Sequence, residues 1–361
     1  MATPKATLST QTEPETNRPP TLVGIPVSIV RWGLVIFAAA SILGFLLAFL
    51  FSGHFASDLA SLQQFNPQWF LPAAGLMVLD WLGSGLRLKA LVGPHDSRIS
   101  LLQSTRIGVA GTAMGYLTPS STGSGPATIY GLMRQGLTFG RATAVNAVSF
   151  LSNVVFLSLA GLVAWALGAG GTVADIRLPI ANLSAAALFR WSAWLFGSGV
   201  AVILLLALLP GLARKVIEKI MGSDHPRIER ALFQFDEIHK GIVVYWKESG
   251  TILFILAVLS GAIHFGSRFV LGYVVLRGFV AEAPFLEVVL LHIVLQYLLF
   301  VMPTPSGAGI GELITAAVMS PFLTPALVLP YTAVWRLFLN YGTVIFGGSQ
   351  LMTWLGKDGA R

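Results

Sequence analysis

Residues 115–126 read GYLTPSSTGSGP, a run of turn-forming and hydroxyl residues between two apolar segments. In a soluble protein such a run is typical of an exposed loop. Inside a membrane it would instead be irregular backbone that lines protein or a water-filled cavity, because unpaired backbone groups are costly in hydrocarbon. The choice between these two interpretations decides the fold.

The overall composition favours the membrane. Hydrophobic residues make up 55% of the chain and charged residues 11%, and the mean hydropathy is +0.75. A water-soluble globule of this size cannot bury that much apolar surface, so the composition predicts an integral membrane protein.

Charge and cysteine content exclude several kinds of site. The formal net charge is +7, but the basic residues lie between apolar segments. Membrane orientation therefore accounts for them, and no nucleic-acid partner is expected. The chain has no cysteine, which excludes disulfides, thiolate metal sites and cysteine nucleophiles. Its histidines lack metal-ligand spacing and its hydroxyl residues lack a paired base, so no metal site, cofactor or catalytic residue is predicted.

Six apolar runs approach the length of about twenty residues that crosses a bilayer core. The first run could in principle be a cleaved signal peptide, but the long polar segment before it favours a membrane span. The runs are Trp32–Phe51, Phe70–Leu86, Thr143–Leu167, Trp191–Leu209, Ile252–Leu276 and Tyr331–Trp354.

The remaining segments complete the predicted domain organisation. Residues 1–25 are rich in proline and threonine and are predicted to be a disordered cytoplasmic tail. Residues 26–355 form a single transmembrane domain, and 356–361 form a second cytoplasmic tail. Within the domain, 210–250 combines many basic residues with helically spaced apolar ones, which predicts a cytoplasmic loop that lies along the membrane surface.

Two further apolar regions, 101–135 and 285–323, are broken in the middle by Gly, Pro, Ser and Thr. Lysine and arginine stay on the cytoplasmic side, which places both termini inside the cell. By the same rule 101–135 enters and leaves from the cytoplasmic face, and 285–323 from the opposite face. Each is predicted to be a re-entrant helical hairpin, although two thin full crossings fit the charges equally. The fold predicted is an all-α polytopic membrane protein of six full spans and two hairpins, eight membrane segments in all.

An internal repeat relates the two broken regions. Thr118-Pro119-Ser120 at the first break matches Thr304-Pro305-Ser306 at the second, and flanking matches before and after keep nearly the same spacing. Residues 70–167 and 251–354 are therefore predicted to be inverted repeats, the layout that transporters use for alternating access.

Hydroxyl residues at the two breaks are candidate substrate-binding groups. Pro126 suits the start of a short helix that ends at Arg134, with Gly136 beyond it. The N–H groups at such a helix start favour an anion such as a phosphate. The hydroxyl residues expected to line the breaks are Thr118, Ser121, Thr122, Ser124, Thr304 and Ser306.

Charged residues within the spans are the second set of candidates, since each is costly unless it is paired or hydrated. Arg268, Glu312 and Arg336 are expected in the interior, with the arginines around a phosphate and Glu312 as counter-ion or proton-coupling acid. Alternatively, Glu312 pairs with Arg336 or Arg268 and only holds helices together. Arg87 and Asp80 are weaker candidates, because Arg87 lies close enough to a helix end to reach the cytoplasmic interface.

The chain resembles a known family at three motifs: TPSSTGSGPATIYGLMRQG at 118–136, PTPSGAGIGE at 303–312 and VWRLFLNYG at 334–342. They are similar to the transmembrane region of lysylphosphatidylglycerol synthases, also called the flippase-like integral membrane family, over residues 30 to 355. The resemblance implies a polytopic inner-membrane protein that moves a lipid between leaflets, or the membrane half of an aminoacyl-lipid synthase.

The chain departs from that family at the first break and in the span after it. The family's first break usually carries Arg and Glu near the positions of Ser121 and Gly125. Its next span usually carries Arg and Asp where this chain has Ser149, Ser152 and Asn153. These departures make a less polar lipid, such as a hopanoid or polyprenyl compound, an alternative to a phospholipid.

Three functions follow. The first is a bacterial inner-membrane lipid flippase with a membrane lipid as substrate. The second is the membrane subunit of a lipid-modifying enzyme, a phosphatidylglycerol lysyltransferase or a glycosyltransferase, with a separate soluble catalytic partner. Lysyl transfer by this chain alone is not expected, because the soluble transferase domain is absent. The third is a structural or regulatory membrane protein, and an oligomer is compatible with all three.

Overall fold

The structure is a computed structural model. It describes residues 27–52, 60–93, 98–169, 184, 187, 190–191, 194, 198, 201, 209–221, 228–247, 250–300, 302 and 304–359.

Within these ranges the secondary structure is helical and no β-strand forms. Two short 3₁₀ turns cover Leu62–Gln64 and Pro67–Trp69, and a π-helical turn covers Leu337–Tyr341. The α-helices are α1 (Val27–Ser52), α2 (Phe70–Val92), α3 (Leu101–Tyr116), α4 (Ser124–Arg134), α5 (Phe139–Ala166), α6 (Pro210–Met221), α7 (Ile228–Lys247), α8 (Gly250–Phe279), α9 (Phe285–Phe300), α10 (Ile310–Met319), α11 (Pro325–Arg336) and α12 (Gly342–Gly359).

Long apolar helices identify a helical membrane protein. Large side chains such as Leu71, Leu162 and Ile252 are more than half exposed on their outer faces, as expected where lipid replaces water. Among the described residues, four helical segments are long and apolar enough to cross a bilayer: Ser28–Leu46, Pro67–Val92, Phe139–Ala166 and Gly250–Phe279. The predicted count of six full spans stays a prediction, because most of Trp191–Leu209 lies outside the described residues.

Two sets of helices pack in the same way. In the first set α2 contacts α3, α3 contacts α4, and α4 contacts α5. In the second set α8 contacts α9, α9 contacts α10, and α10 contacts α11. Helices from the two halves of the chain also pack on each other, since α9 packs on α5 and α12, which follows the second set, packs on α3. Each set therefore completes the environment of the other.

The two sets meet along α2 and α8, where a glycine permits close contact. A Cβ atom placed on Gly83 would lie 2.5 Å from the backbone nitrogen of His264 and 2.8 Å from its Cα. A side chain at position 83 cannot fit without moving backbone, so glycine is what allows these helices to approach so closely.

Capping defines the helices around the first break. Ser100 and Gln103 form a capping box at the start of α3. The short helix α4 ends at Arg134, and Gly136 beyond it has φ 100°, which confirms the predicted glycine stop. The helix begins at Ser124 and holds Pro126 within its first turn.

Several predicted segments differ in detail or lie outside the described ranges. The predicted tail 1–25 lies outside them. The predicted second tail, 356–361, is helical through Gly359, because α12 extends into it. The loop predicted at 210–250 forms the helices α6 and α7, which are joined by an ion pair between Arg214 and Asp236. Its position along the membrane surface stays a prediction.

Candidate functional site

The two breaks predicted from the sequence lie against each other. Pro119 and Pro305 form an antiparallel backbone bridge, although these two residues are far apart in the chain. The first break joins α3 to α4, and the second joins α9 to α10. The bridge places both pairs of short helices around one point of contact.

Both breaks have the same backbone conformation. Ser120 (φ 49°) and Ser306 (φ 53°) lie in the left-handed region, and the residue after each does too. This region is strained for a serine, so two occurrences at matching positions indicate a common turn. The same two hydrogen bonds close each turn: Ser121 N–H to Thr118 O (3.3 Å) and Thr122 N–H to Pro119 O (3.1 Å), then Gly307 N–H to Thr304 O (3.0 Å) and Ala308 N–H to Pro305 O (2.8 Å).

A cavity of about 540 Å³ lies beside the first break. The start of α4 faces it through Ser124 and Gly125, and the break contributes Ser120 and Ser121. Its other polar groups come from α2, α3, α4 and α5. They are Ser84, Arg87, Thr112, Thr128, Asn146, Ser149 and Asn153.

Arg87 is the charged group of this cavity. Its side chain is 7% exposed. The guanidinium Nε donates to Ser149 Oγ at 3.1 Å, Nη2 to Ser84 Oγ at 3.4 Å, and Nη1 to Asn153 Oδ1. Among the described residues no carboxylate oxygen lies within the 4.0 Å of an ion pair. The cavity therefore holds a cation bound by neutral groups, which leaves its charge available to an anion.

The second break is held by charged and amide side chains. Arg336 Nη1 donates to the carbonyl of Ser306 at 2.8 Å, and Asn340 Nδ2 donates to the Ser306 hydroxyl at 2.5 Å. Arg336 Nε lies 3.5 Å from Glu312 Oε1. Glu312 is 0% exposed and Arg336 is 1% exposed. The sequence left open whether Glu312 pairs with Arg336 or Arg268, and its partner is Arg336.

Arg268 lies in a separate cluster at the contact of α2 and α8. Its Nε and Nη2 donate to the two carboxylate oxygens of Asp80, at 2.9 Å and 3.3 Å. His264 Nδ1 lies 2.6 Å from the same carboxylate. Arg268 does not line the cavity, so its charge is matched within the interface between the two helix sets.

The predicted hydroxyl residues have different positions. Ser121 and Ser124 line the cavity. The Thr118 hydroxyl instead stabilises the turn, since it donates to Met114 O at 2.9 Å and accepts from the Gly123 N–H at 2.8 Å.

The remaining predicted threonines, Thr122 and Thr304, do not line the cavity either. The Thr122 hydroxyl is bonded to the carbonyl of Pro119 at 3.0 Å. Thr304 is partly buried at the second break, and its hydroxyl has no hydrogen-bond partner among the described residues.

Sequence reasoning undervalued the polar residues of α2 and α5. From the sequence alone Arg87 is only a weaker candidate, because it lies near a helix end, and Ser149 and Asn153 are only departures from a family pattern. The sequence does indicate a polar helix face here, because Ser149 and Asn153 lie four residues apart and therefore share one face of the helix. Asn146, three residues before Ser149, lies on that face too.

Comparison with known proteins covers the helices that build this site. The sequence model of the family described as the lysylphosphatidylglycerol synthase TM region matches residues 31–347, a range that contains both breaks and the cavity. A UPF0104 membrane protein of Archaeoglobus fulgidus is 23% identical over 273 residues, 75% of this chain and 82% of that protein. No solved structure matches the chain.

Proposed function

The chain belongs to the lysylphosphatidylglycerol synthase TM region family, and we propose that it moves a lipid between the two leaflets of the bacterial inner membrane. The headgroup of the lipid occupies the cavity beside the first break, and the acyl chains stay in the apolar surroundings. The observation that carries this proposal is that Arg87 is buried at the wall of this cavity and is bonded only to neutral groups among the described residues.

Arg87 indicates the chemical class of the headgroup. A buried cation in a membrane protein is costly unless a counter-charge or water stabilises it. Here the guanidinium has hydroxyl and amide partners but no carboxylate among the described residues. A phosphate fits this need, because guanidinium forks bind phosphate oxygens in pairs. The hydroxyls of Ser121 and Ser124 lie on the same cavity wall and supply further donors, which favours a phospholipid over an uncharged hopanoid.

The repeated turn supports alternating access. The two breaks share one backbone conformation and meet at Pro119 and Pro305, and the two helix sets pack in equivalent ways. An inverted repeat of this kind places the substrate site near the middle of the bilayer and opens it to each side in turn. In the state described here the first half holds a cavity, whereas charged side chains hold the second break.

Helix lengths support the hairpin topology. The helices α3 and α4 contain 16 and 11 residues, and α9 and α10 contain 16 and 10. At about 1.5 Å per residue the longer ones span about 24 Å, less than the hydrocarbon core of about 30 Å. We therefore retain two re-entrant hairpins, one from each face, with both termini in the cytoplasm.

The family description also favours a second function. It names the membrane region of a synthase, so the same cavity would present phosphatidylglycerol to a soluble transferase that is a separate partner. This function predicts that the lipid is chemically modified when the partner is present. Mass spectrometry of lipids from cells that express both proteins distinguishes it from transport alone.

Transport is tested in proteoliposomes that contain fluorescent phosphatidylglycerol, with loss of fluorescence to external dithionite as the measure of lipid crossing. Replacement of Arg87 by Gln removes the charge that binds phosphate. We expect crossing to slow by about tenfold or more, because a hydrogen bond to a charged group contributes about 1.5–3 kcal/mol.

Arg141→Gln, a matched substitution at an exposed arginine, should transport as the unmodified protein does. Arg87→Lys should retain part of the activity. Equal crossing with and without protein would refute lipid transport, and unchanged crossing in Arg87→Gln would remove Arg87 from the mechanism.

A further inference from the structure

Glu312 is a buried acid without the hydrogen bonds that usually stabilise a buried carboxylate. Its exposure is 0%. Neither carboxylate oxygen has a hydrogen-bond partner among the described residues, and Arg336 Nε and Nη2 have none either. The two side chains are held by charge at 3.5 Å. Burial of an ion pair costs free energy that hydrogen bonds normally offset, so this pair is sensitive to loss of either charge.

Among the residues that the structure describes, few other charged or titratable groups lie near this acid. The helix α10 packs on α1, α9 and α11. From α11 the group that faces Glu312 is Arg336, and the following π-helical turn places Tyr341 near the acid, with a hydrogen bond to Ser41 of α1.

The other two helices add no charge near the acid within the described residues. The helix α1 approaches the second break closely at Gly44, where an added Cβ would lie 3.5 Å from Glu312 Oε2. On α9, Glu287 is exposed at the start of the helix, and the ring of His292 is bonded to Val288 and Tyr331. Among the described residues, Arg336 is therefore the main counter-charge of Glu312.

Arg336 also links Glu312 to the conformation of the break. The same guanidinium that lies beside the acid donates to the carbonyl of Ser306, the left-handed residue of the turn. A neutral Glu312 would leave Arg336 as a buried cation without a counter-charge, which is strongly unfavourable. Hydration of Arg336 relieves this cost, and it requires the break to open.

We propose that Glu312 is a proton-binding site whose occupancy opens the second break. One proton from water adds to a carboxylate oxygen and gives the neutral acid. The same proton returns to water when the site is exposed to the other side, and the ion pair forms again. The coupling of this cycle to lipid movement rests on the proposed function, whereas proton binding and opening of the break do not.

The site is tested in the purified full chain, without any lipid substrate. Because the chain has no cysteine, a single cysteine at Ala308, which is 2% exposed, reports opening through its rate of reaction with a small polar thiol reagent. A cysteine at the exposed Ser320 corrects for the pH dependence of thiol reactivity. We expect the corrected rate to rise by about tenfold or more in acidic buffer. The reason is that leaving a buried charge without its partner costs more free energy than a tenfold change in population requires.

Substitution assigns the effect to Glu312. Glu312→Gln should react fast at every pH, whereas Glu287→Gln, the same change at an exposed position of α9, should keep the pH response. An infrared titration should show a protonated-carboxyl band that Glu312→Gln lacks. If Glu312→Gln does not fold, the charge-neutral double variant Glu312→Gln with Arg336→Met should fold and react slowly at every pH.

A pH response that persists in a folded variant without Glu312 would overturn the proposal. A response to sodium ions at constant pH in place of protons would overturn it as well. Because these measurements do not depend on transport, the proton site can fail while lipid crossing is observed, and the reverse.

Discussion

The two breaks have the same turn but opposite surroundings. In both, a left-handed serine follows Thr-Pro, and the second helical segment after the break presents two polar residues four positions apart. In the first half these residues are Ser149 and Asn153, which hold Arg87 at the wall of a cavity. In the second half they are Arg336 and Asn340, which bind the turn itself. The backbone therefore defines where a break forms, and the facing helix decides whether it borders a cavity.

The largest difference between the halves should appear when each arginine is replaced by methionine. Arg336→Met leaves Glu312 as an unpaired buried carboxylate, and we expect a loss of about 3–5 kcal/mol in the free energy of unfolding. Arg87→Met leaves hydroxyl and amide groups that cavity water can solvate, with an expected loss of about 1 kcal/mol. Denaturant titration in mixed micelles measures both. Equal losses would contradict the distinction between a paired arginine and one that faces a cavity.

The contact between the halves should respond less strongly. Gly83→Ala places a Cβ atom 2.5 Å from the backbone of His264 and should destabilise the protein by about 1–3 kcal/mol through overpacking. Gly75→Ala, on the same helix α2, meets no atom within 4 Å and should be neutral or slightly stabilising. The same denaturant titration compares them. A neutral Gly83→Ala would show that α2 and α8 can separate without loss of packing.

The smallest effect, and the sharpest test of the shared turn, is expected from glycine at the two left-handed serines. Ser120→Gly should stabilise the protein by up to about 1 kcal/mol, because glycine adopts this conformation without strain. Ser306→Gly gains the same relief but loses the hydrogen bond from Asn340, so it should be neutral or destabilising by about 1 kcal/mol. Thermal unfolding in detergent gives both signs. Stabilisation by both substitutions would mean that Asn340 does not hold the second break.

Much of the fold could be predicted because its signals are local. Apolar runs and turn residues predicted a helical membrane protein, and Gly136 marked the end of α4. The matching Thr-Pro-Ser motifs predicted that two breaks are related. The site was less predictable, because a charge acquires its role from partners distant in sequence. Arg268 was expected beside a phosphate, but Asp80, on another helix, binds it.

The sequence by itself determined that this is a membrane protein, that it is helical and where its two breaks lie, because composition and turn-forming residues act within short stretches of chain. Only the tertiary structure decided that Arg87 faces a cavity while Arg336 is matched by Glu312. The physical reason is that burying a charge requires partners in three dimensions, and those partners come from helices that the sequence does not place together.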